Sequence, residues 1–377
     1  MTPRSSAVCA ILVNFHGADE VASAVASLSG QSAVARILVV DNSCDAMEFA
    51  RLESLVGAGA TLLRAPSNLG FGQACNWAFE ATSEPFVLLV NPDVSMEPGT
   101  VDLLLNAMSD GRVAAAAPRQ YLDDAHQWLL PPAWAPSVLG AWMYASALAS
   151  QHARQRLQRA LRREAMRYWT SRVDLPQRAL SGGLMLLRRK ALIEQPHLFD
   201  PRFFMYFEDA DLCLRLRRAG HRLVLVPDAR AIHAWRDAPH KAQQMGQSVA
   251  VFFDKYWPEP NRWRLATSAM LQRPRLQETW QGLDAPPESE IEAALAEGAV
   301  LEISPDQLFL PSIAHLGSVT SAPSLTFPWE RFGQGDVYLR LCHADQDAPN
   351  EAFRRSSGAR GVQWSRFQLA DNTGSVR

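Results

Sequence analysis

Apolar residues come in short unbroken runs along the first third of the chain, and each run stops at a polar or turn-forming residue. VCAILVN (8–14), ARILVVDN (35–42), ATLLRA (60–65), PFVLLVN (85–91) and VAAAAP (113–118) are rich in Val, Ile, Leu and Ala. Hydrophobicity that is continuous, with no alternation, means that both faces of a strand are covered, as in a mostly parallel sheet. Between the runs, ADEVASAVASLSG (18–30) and GQACNWAFEATS (72–83) repeat apolar positions at helical spacing, and Gly30 suits a helix stop. This order predicts an open, doubly wound α/β sheet, in which ligands sit outside the carboxyl ends of the strands. Asp41, Asn42, Asn91 and Asp93 all fall at that edge.

From about 119 to 178 the pattern gives way to an insertion containing WLLPPAWAP and the helix QHARQRLQRALRREAMRYWTSR. Arg156, Arg159, Arg163 and Arg167 share one helical stripe, and Leu157, Ala160, Leu161, Ala165 and Tyr168 another. The basic stripe is either a solvated face over a packed one or a contact for an anionic membrane surface or a diphosphate-bearing acceptor. The preceding VLGAWMYASALA, at 12 residues, is long enough to touch a bilayer and too short to cross it. A second αβ block follows in LSGGLMLLRRKAL (180–192), FFMYFEDADLCLRLRRAG (203–220), HRLVLVPDARAIHAW (221–235) and a helix over roughly 241–256. Beyond KYWPEPNRW the composition shifts. The expected division is one domain over 1–258, then linker helices and a small accessory domain over 259–377 with strands such as GDVYLRLCHAD (335–345) and GVQWSRFQLAD (361–371). In that region Phe327, Trp329 and Trp364 are either core aromatics or a platform for sugar faces.

The totals narrow the function. Over 377 residues, 37 Lys and Arg nearly balance 39 Asp and Glu, so no global basic field points to nucleic acid. The 5 Cys are scattered with no CxxC pair, which argues against a disulfide framework or structural zinc and favours a reducing, cytoplasmic setting. The first apolar run is too short for a signal peptide or a membrane span.

Three stretches carry candidate chemistry. Glu208, Asp209 and Asp211 open a helix behind the aromatic run FFMYF. Acids in a first turn often serve only the helix dipole, but a carboxylate wedged behind aromatics is desolvated, and its pKa moves toward the range of a general base. In APSNLGFGQACN (65–76), Gly70 and Gly72 precede a helix, but Cys75 stands where a dinucleotide fingerprint needs its third Gly, and no P-loop lysine is present. Asp93, in LVNPDV, either caps the next helix or holds a metal. His233, in ARAIHAW, is either a packed histidine or, with Asp93, one of two donors for Mg2+ or Mn2+ whose shell a substrate diphosphate completes. SGG (181–183) is a turn or a place where ligand meets bare backbone.

ILVNFHG, LVVDNS, SNLGFGQACN, LLVNPDV, SGGLMLLRR, FFMYFEDADLCLRLRRAG and ARAIHAW, in this order across about residues 7–257, resemble the inverting glycosyltransferase family 2 of the GT-A fold, in particular its bacterial rhamnosyltransferase-like members. The resemblance implies a nucleotide diphosphate sugar donor (dTDP, UDP or GDP), a glycan or lipid-linked acceptor of cell-surface polysaccharide synthesis, and a divalent cation. It implies Asp209 as catalytic base beside Glu208, and Asp93 and His233 at the metal. Asn14, Asp41, Asn68, Gly70, Asn91, Gly182 and Gly183 would line the donor site. Asn91 stands where many relatives have Asp, which leaves one fewer charge at the metal. The location implied is cytoplasmic, with peripheral contact at the inner face of the membrane through the Arg-rich helix at 154–172.

Overall fold

A computed structural model describes residues 8–236, 241–318, 325–343, 351–358 and 361–368. The chain begins with β1 (Val8–Asn14), α1 (Ala18–Ser29), β2 (Val34–Asp41), α2 (Ala46–Val56), β3 (Thr61–Arg64), α3 (Gly70–Glu80), β4 (Phe86–Val90), β5 (Val94–Met96), α4 (Thr100–Ala107) and β6 (Val113–Tyr121). The insertion supplies α5 (Val138–Ala149), α6 (Gln151–Thr170) and β7 (Leu175–Gln177). β8 (Leu184–Arg188), α7 (Arg189–Ile193), α8 (Glu208–Arg218), β9 (Arg222–His233), α9 (Lys241–Tyr256) and α10 (Arg262–Leu271) follow. The remainder is β10 (Thr279–Leu283), α11 (Glu288–Ala296), β11 (Ala299–Ser304), β12 (Ile313–Leu316), β13 (Gly335–His343), β14 (Glu351–Gly358) and β15 (Gly361–Gln368).

The main sheet has the order β3-β2-β1-β4-β8-β6-β9-β5, with β7 also paired to β9. β1 runs parallel to β2 and β4, β2 to β3, and β6 to β9. β8 lies antiparallel between β4 and β6, and β5 and β7 are antiparallel to β9. Because two antiparallel steps restore direction, β6 and β9 point the same way as β1 to β4. All their carboxyl ends, and the entry into β8, therefore meet at one edge. The α/β open sheet expected from the apolar runs is present, with β8 as the reversed strand that the runs did not disclose.

Continuous burial has the cause inferred from the runs. Along β1, Val8, Ala10 and Leu12 join the core under α1, α2 and α4, while Cys9, Ile11 and Val13 join the core under α3 and α8. Observed element bounds move by one to a few residues. In the block 180–192 only Leu184–Arg188 is strand, so Ser181, Gly182 and Gly183 form the turn before it.

α6 packs Leu157, Ala165 and Tyr168 inward and leaves Arg156, Arg159, Arg163 and Arg167 exposed, as the two stripes predict. Ala160 is exposed, because it lies on the flank of the helix beside Arg156 and Arg167, outside the one packed face. Arg154 and Arg162 are buried on that same packed face, against Glu278 and Glu302. A second, antiparallel sheet of order β10-β15-β14-β13-β11-β12 stands there. Its core takes in Leu122, Trp128 and Leu130 of the insertion with Ile291, Leu301 and Phe353. Trp364 is 7% exposed within it, and half-buried Phe327 and Trp329 stack at 4.9 Å against the same core. These aromatics are packing residues. The predicted strand ends at 344–345 and 369–371 lie outside the described residues.

A buried ionic triad joins α6 to this sheet. Glu302 accepts from Arg340 at 3.0 and 2.7 Å, from Ser312 at 3.1 Å, and from Arg162. Burial alone raises its pKa, and the two guanidiniums and the hydroxyl outweigh that and hold it below the ordinary value. Glu302→Gln leaves two buried cations without a counter-charge and is expected to destabilise the protein by about 3–5 kcal/mol. Urea unfolding measures this, and a loss below about 1 kcal/mol would show that water reaches the triad.

Candidate active site

Asn14 closes β1 and Asp41 closes β2, both fully buried. The Asn14 amide donates to Asp41 Oδ1 and to Glu48 Oε1, each at 3.1 Å, and its oxygen accepts from the Gly17 N–H at 3.0 Å. Asp41 Oδ1 also accepts from the Ser43 N–H at 3.3 Å. Asp41 Oδ2 is buried with no hydrogen-bond partner among the described residues. Buried polar atoms are nearly always paired, so this oxygen is short of a donor. Asn68 accepts from Asn42 Nδ2 and from the Gly70 N–H, both at 3.0 Å, while Asn42 Oδ1 accepts from the Leu69 N–H at 2.8 Å. The two asparagines thus fasten the loop before α3 to the end of β2. Gly70 has φ +74°, and a Cβ there would lie 2.3 Å from the Phe204 carbonyl oxygen. Its bare backbone admits Phe204, whose carbonyl accepts from the Phe71 N–H at 3.0 Å, so the glycine serves a protein contact.

Asp209, Asn91 and His233 meet at Gly182–Gly183. The Gly182 N–H donates to Asp209 Oδ2 at 2.9 Å, and a Cβ on Gly182 would lie 3.1 Å from Asp209 Cβ. A Cβ on Gly183 would lie 2.8 Å from Asn91 Nδ2 and 3.2 Å from His233 Cε1. The Asn91 N–H donates to the Gly183 carbonyl at 2.7 Å, and the Val94 N–H to the Asn91 carbonyl at 3.2 Å. Two side-chain-free residues are what allow α8, β4 and β9 to bring polar groups so close.

Asp93 caps no helix. It precedes the short strand β5, and α4 starts only at Thr100, with Gly99 as its cap. Its Oδ1 lies 3.4 Å from His233 Nε2. His233 Nδ1 meets Gln120 Oε1 at 2.7 Å, which holds the ring with Nε2 facing Asp93. Burial raises the Asp93 pKa, but the His233 contact and Arg236 outweigh it, so the carboxylate is held below its usual range. An imidazole nitrogen and a carboxylate oxygen facing one another, with the far ring nitrogen anchored, fit a divalent cation. Among the described residues no group of three or more His, Cys, Asp or Glu could hold a metal ion, so a cation there needs further donors from water or a bound ligand.

The three acids of α8 do different things. Phe207, in the left-handed conformation at φ 68°, turns the chain into the helix and provides no side-chain cap. Asp209 is half-buried, faces Gly182, and accepts from the Ala210 N–H at 2.7 Å. Burial raises its pKa, and the two backbone N–H groups moderate the rise. Glu208 lies beside Gly72 under α3, with Oε2 buried and unpaired among the described residues. Burial and the Asp209 charge push its pKa up. Asp211 is fully buried and accepts from Lys255, from Tyr256 at 2.7 Å and from Arg215 at 2.7 Å, which ties α9 to α8. Of the two predicted catalytic acids, Asp209 is at the glycine junction and Glu208 is behind it.

Sequence reasoning missed Gln120 and Glu48, and it placed Asn42 at the strand edge without a role. Gln120 was detectable as a polar residue near the carboxyl end of a buried strand. Glu48 sits in an ordinary helical turn and carries no local signal.

Because its folded-state pKa is raised, Glu208 contributes stability below its unfolded value of about 4.3, and that contribution is lost as pH rises through the folded value. Glu208→Gln is therefore expected to gain thermal stability relative to the unsubstituted protein as pH rises from 5 to 8.5. Parallel melting curves across that range would mean that Glu208 ionises freely.

Residues 6–263 match the family described as Glycosyltransferase like family 2. Over 268 residues, 65% of this chain and 84% of the relative, the sequence is 32% identical to the N-acetylglucosaminyl-diphospho-decaprenol L-rhamnosyltransferase of Mycobacterium tuberculosis. A stretch of 53 residues, 14% of this chain and 20% of the relative, is 49% identical to the Rhamnosyltransferase WbbL of Escherichia coli. Among solved structures, the mannosyltransferase PcManGT of Pyrobaculum calidifontis in complex with GDP-Man and Mn2+ aligns with a TM-score of 0.46 at 14% identity, over 71% of this chain and 72% of that one. With the family match running from β1 into α10, the chain belongs to the Glycosyltransferase like family 2 and is a hexosyltransferase.

Proposed function

We propose that the protein transfers a hexose, foremost rhamnose, from a nucleoside diphosphate sugar to a hydroxyl of a glycan or lipid-linked acceptor, with inversion at the anomeric carbon. The observation that carries this is the meeting of Asp209, Asn91 and His233 at Gly182–Gly183, with Asp93 3.4 Å from His233. The relatives' names supply the sugar and suggest the acceptor, since the mycobacterial one is named for rhamnosyl transfer to N-acetylglucosaminyl-diphospho-decaprenol.

In this mechanism Asp209 takes the acceptor hydroxyl proton as that oxygen bonds to the anomeric carbon, and the bond from that carbon to the diphosphate oxygen breaks in line. The backbone N–H groups of Gly182 and Ala210 orient the Asp209 carboxylate and favour its ionised form. Glu208, kept neutral by burial, spares Asp209 a second charge that would make it a poorer proton donor once loaded. Asp93 and His233 would hold a Mg2+ or Mn2+, which when bound neutralises charge on the departing diphosphate. At the other end, the unpaired Asp41 Oδ2 suits a donor N–H or O–H of the nucleotide base or ribose, with Asn14 and Asn68 fixing its surroundings. A thymine, uracil or guanine ring carries such an N–H, consistent with dTDP, UDP or GDP.

An acceptor on a lipid would bring the protein to a membrane surface. Among the described residues no helix is long and apolar enough to cross one. The exposed Arg156, Arg159 and Arg167 of α6 are the surface we assign to peripheral contact with anionic lipid.

Asp209→Asn should lower turnover by about 10²–10⁴-fold with donor affinity unchanged, measured by single-turnover transfer and calorimetry; retained turnover removes it as the base. Asp93→Ala should abolish the metal-dependent part of donor binding. A thermal-shift screen of nucleotide sugars with and without Mn2+ should single out dTDP-rhamnose, because a ligand that binds only the native state raises the melting temperature. Flotation with anionic vesicles should recover the protein and lose it on Arg156→Glu/Arg159→Glu; binding that survives the double change would clear α6 of this role.

A further inference from the structure

The C-terminal region beyond residue 263, where the family match ends, touches the immediate supports of His233 at two points, one from the turn Trp329–Arg331 before β13 and one from β12 of the second sheet. The first is Ala234. Arg331 Nη1 donates to the Ala234 carbonyl at 3.1 Å, and the Ala234 N–H donates to the Asp93 carbonyl at 2.9 Å. A single residue thus links Arg331 to the backbone of both candidate cation ligands. Phe332, next to Arg331, packs edge-on against Trp235 with ring centroids 6.0 Å apart. The second point is Gln120, whose side chain anchors His233 Nδ1. The Gln120 carbonyl accepts from the Leu130 N–H at 3.0 Å, and Leu129 exchanges both backbone hydrogen bonds with Ala314 of β12, at 2.7 and 3.0 Å.

These supports fall where the main sheet is weakest. β5 is 3 residues long and forms the sheet edge beyond β9, so β9 is its sole strand partner in the sheet order. His233 is the last residue of β9. Short edges and strand ends open at low free-energy cost. A two-donor cation site built from the side chains at such ends depends on whatever fixes them, and groups behind the ligands commonly govern affinity by about 10–100-fold.

We propose that the C-terminal region, through the turn before β13 and through β12, is a positioning element of the proposed active site. Arg331, through Ala234, and the Leu129–Ala314 bridge, through Gln120, hold His233 Nε2 toward Asp93. Arg331 touches neither substrate nor cation and is a positioning residue. The inference rests on Asp93 and His233 being the cation site proposed above.

The test uses the full-length chain with dTDP, UDP and GDP, alone and with Mn2+, by titration calorimetry, alongside thermal unfolding. Arg331→Ala is expected to weaken the Mn2+-dependent component of nucleotide binding about tenfold, to leave metal-free nucleotide binding unchanged, and to be rescued largely by Arg331→Lys, which keeps a donor. If Arg331→Ala melts early, Arg331→Lys is compared with Arg331→Met, since both keep an unbranched stem and differ in the donor. Equal metal-dependent affinity in that pair, or an unaltered value in a stable Arg331→Ala, overturns the positioning role. Asp93→Ala runs in parallel. Loss there with none at Arg331 defeats the positioning role alone, whereas metal-independent binding in the unsubstituted protein defeats the cation site and this inference with it.

Discussion

The site depends on the missing side chains of Gly182 and Gly183. One methyl group on Gly183 would stand within van der Waals exclusion of Asn91 and His233, and one on Gly182 would press on the Asp209 Cβ. Three elements that are remote in sequence, the end of β4, the start of α8 and the end of β9, approach one another only because this turn has backbone and nothing else. The reversed strand β8 begins there and carries the turn into the middle of the sheet, between β4 and β6. The most congested point of the fold is thereby placed at the edge where parallel strands end and polar groups are available.

Charge follows from burial once that geometry exists. The acids of EDAD sit within one helical turn, but neighbours on other elements give each a separate fate. Asp209 finds two backbone N–H groups and an open side. Glu208 is turned under α3, where its second oxygen finds no partner. Asp211 is enclosed by Lys255, Tyr256 and Arg215 and binds α9 to the sheet. A carboxylate at the glycine junction, a buried neighbour with a raised pKa and a structural anion thus arise from three chemically similar side chains, because desolvation and hydrogen bonding differ over a few ångströms. The αL turn at Phe207 sets this division, since it aims the first helical turn at the glycine junction.

The second sheet enters the same economy of supports through the insertion. Glu302 gathers Arg162 and Arg340 in a dry interface, Trp128 fills the core below, and the segment after β6 is drawn into a bridge with β12. The Arg-rich helix therefore has two kinds of arginine. Those at 154 and 162 hold the protein together, and those at 156, 159, 163 and 167 remain at the surface. A membrane-facing helix and an interface helix have the same composition, and burial alone tells them apart.

Residues 8–118 were almost fully legible in the sequence, because a buried strand must be apolar throughout and must end where polar atoms can be satisfied; that rule located Asn14, Asp41, Asn91 and His233 as well as the strands. The same edge placed Asp93, the acids behind FFMYF raised Asp209, and SGG raised the two glycines, while the family resemblance supplied the roles expected of them. What the chain alone left open were relations across the fold: that β8 runs backward, that Gly70 meets Phe204, that Glu208 and Asp209 diverge, that Gln120 anchors His233, and that Trp364 is core. Periodicity and spacing report how a residue relates to its own element, whereas these facts depend on which other element lies against it. Only tertiary packing creates those neighbours, and with them the desolvation and hydrogen bonds that give an ordinary Asp, Gln or Arg a distinct environment.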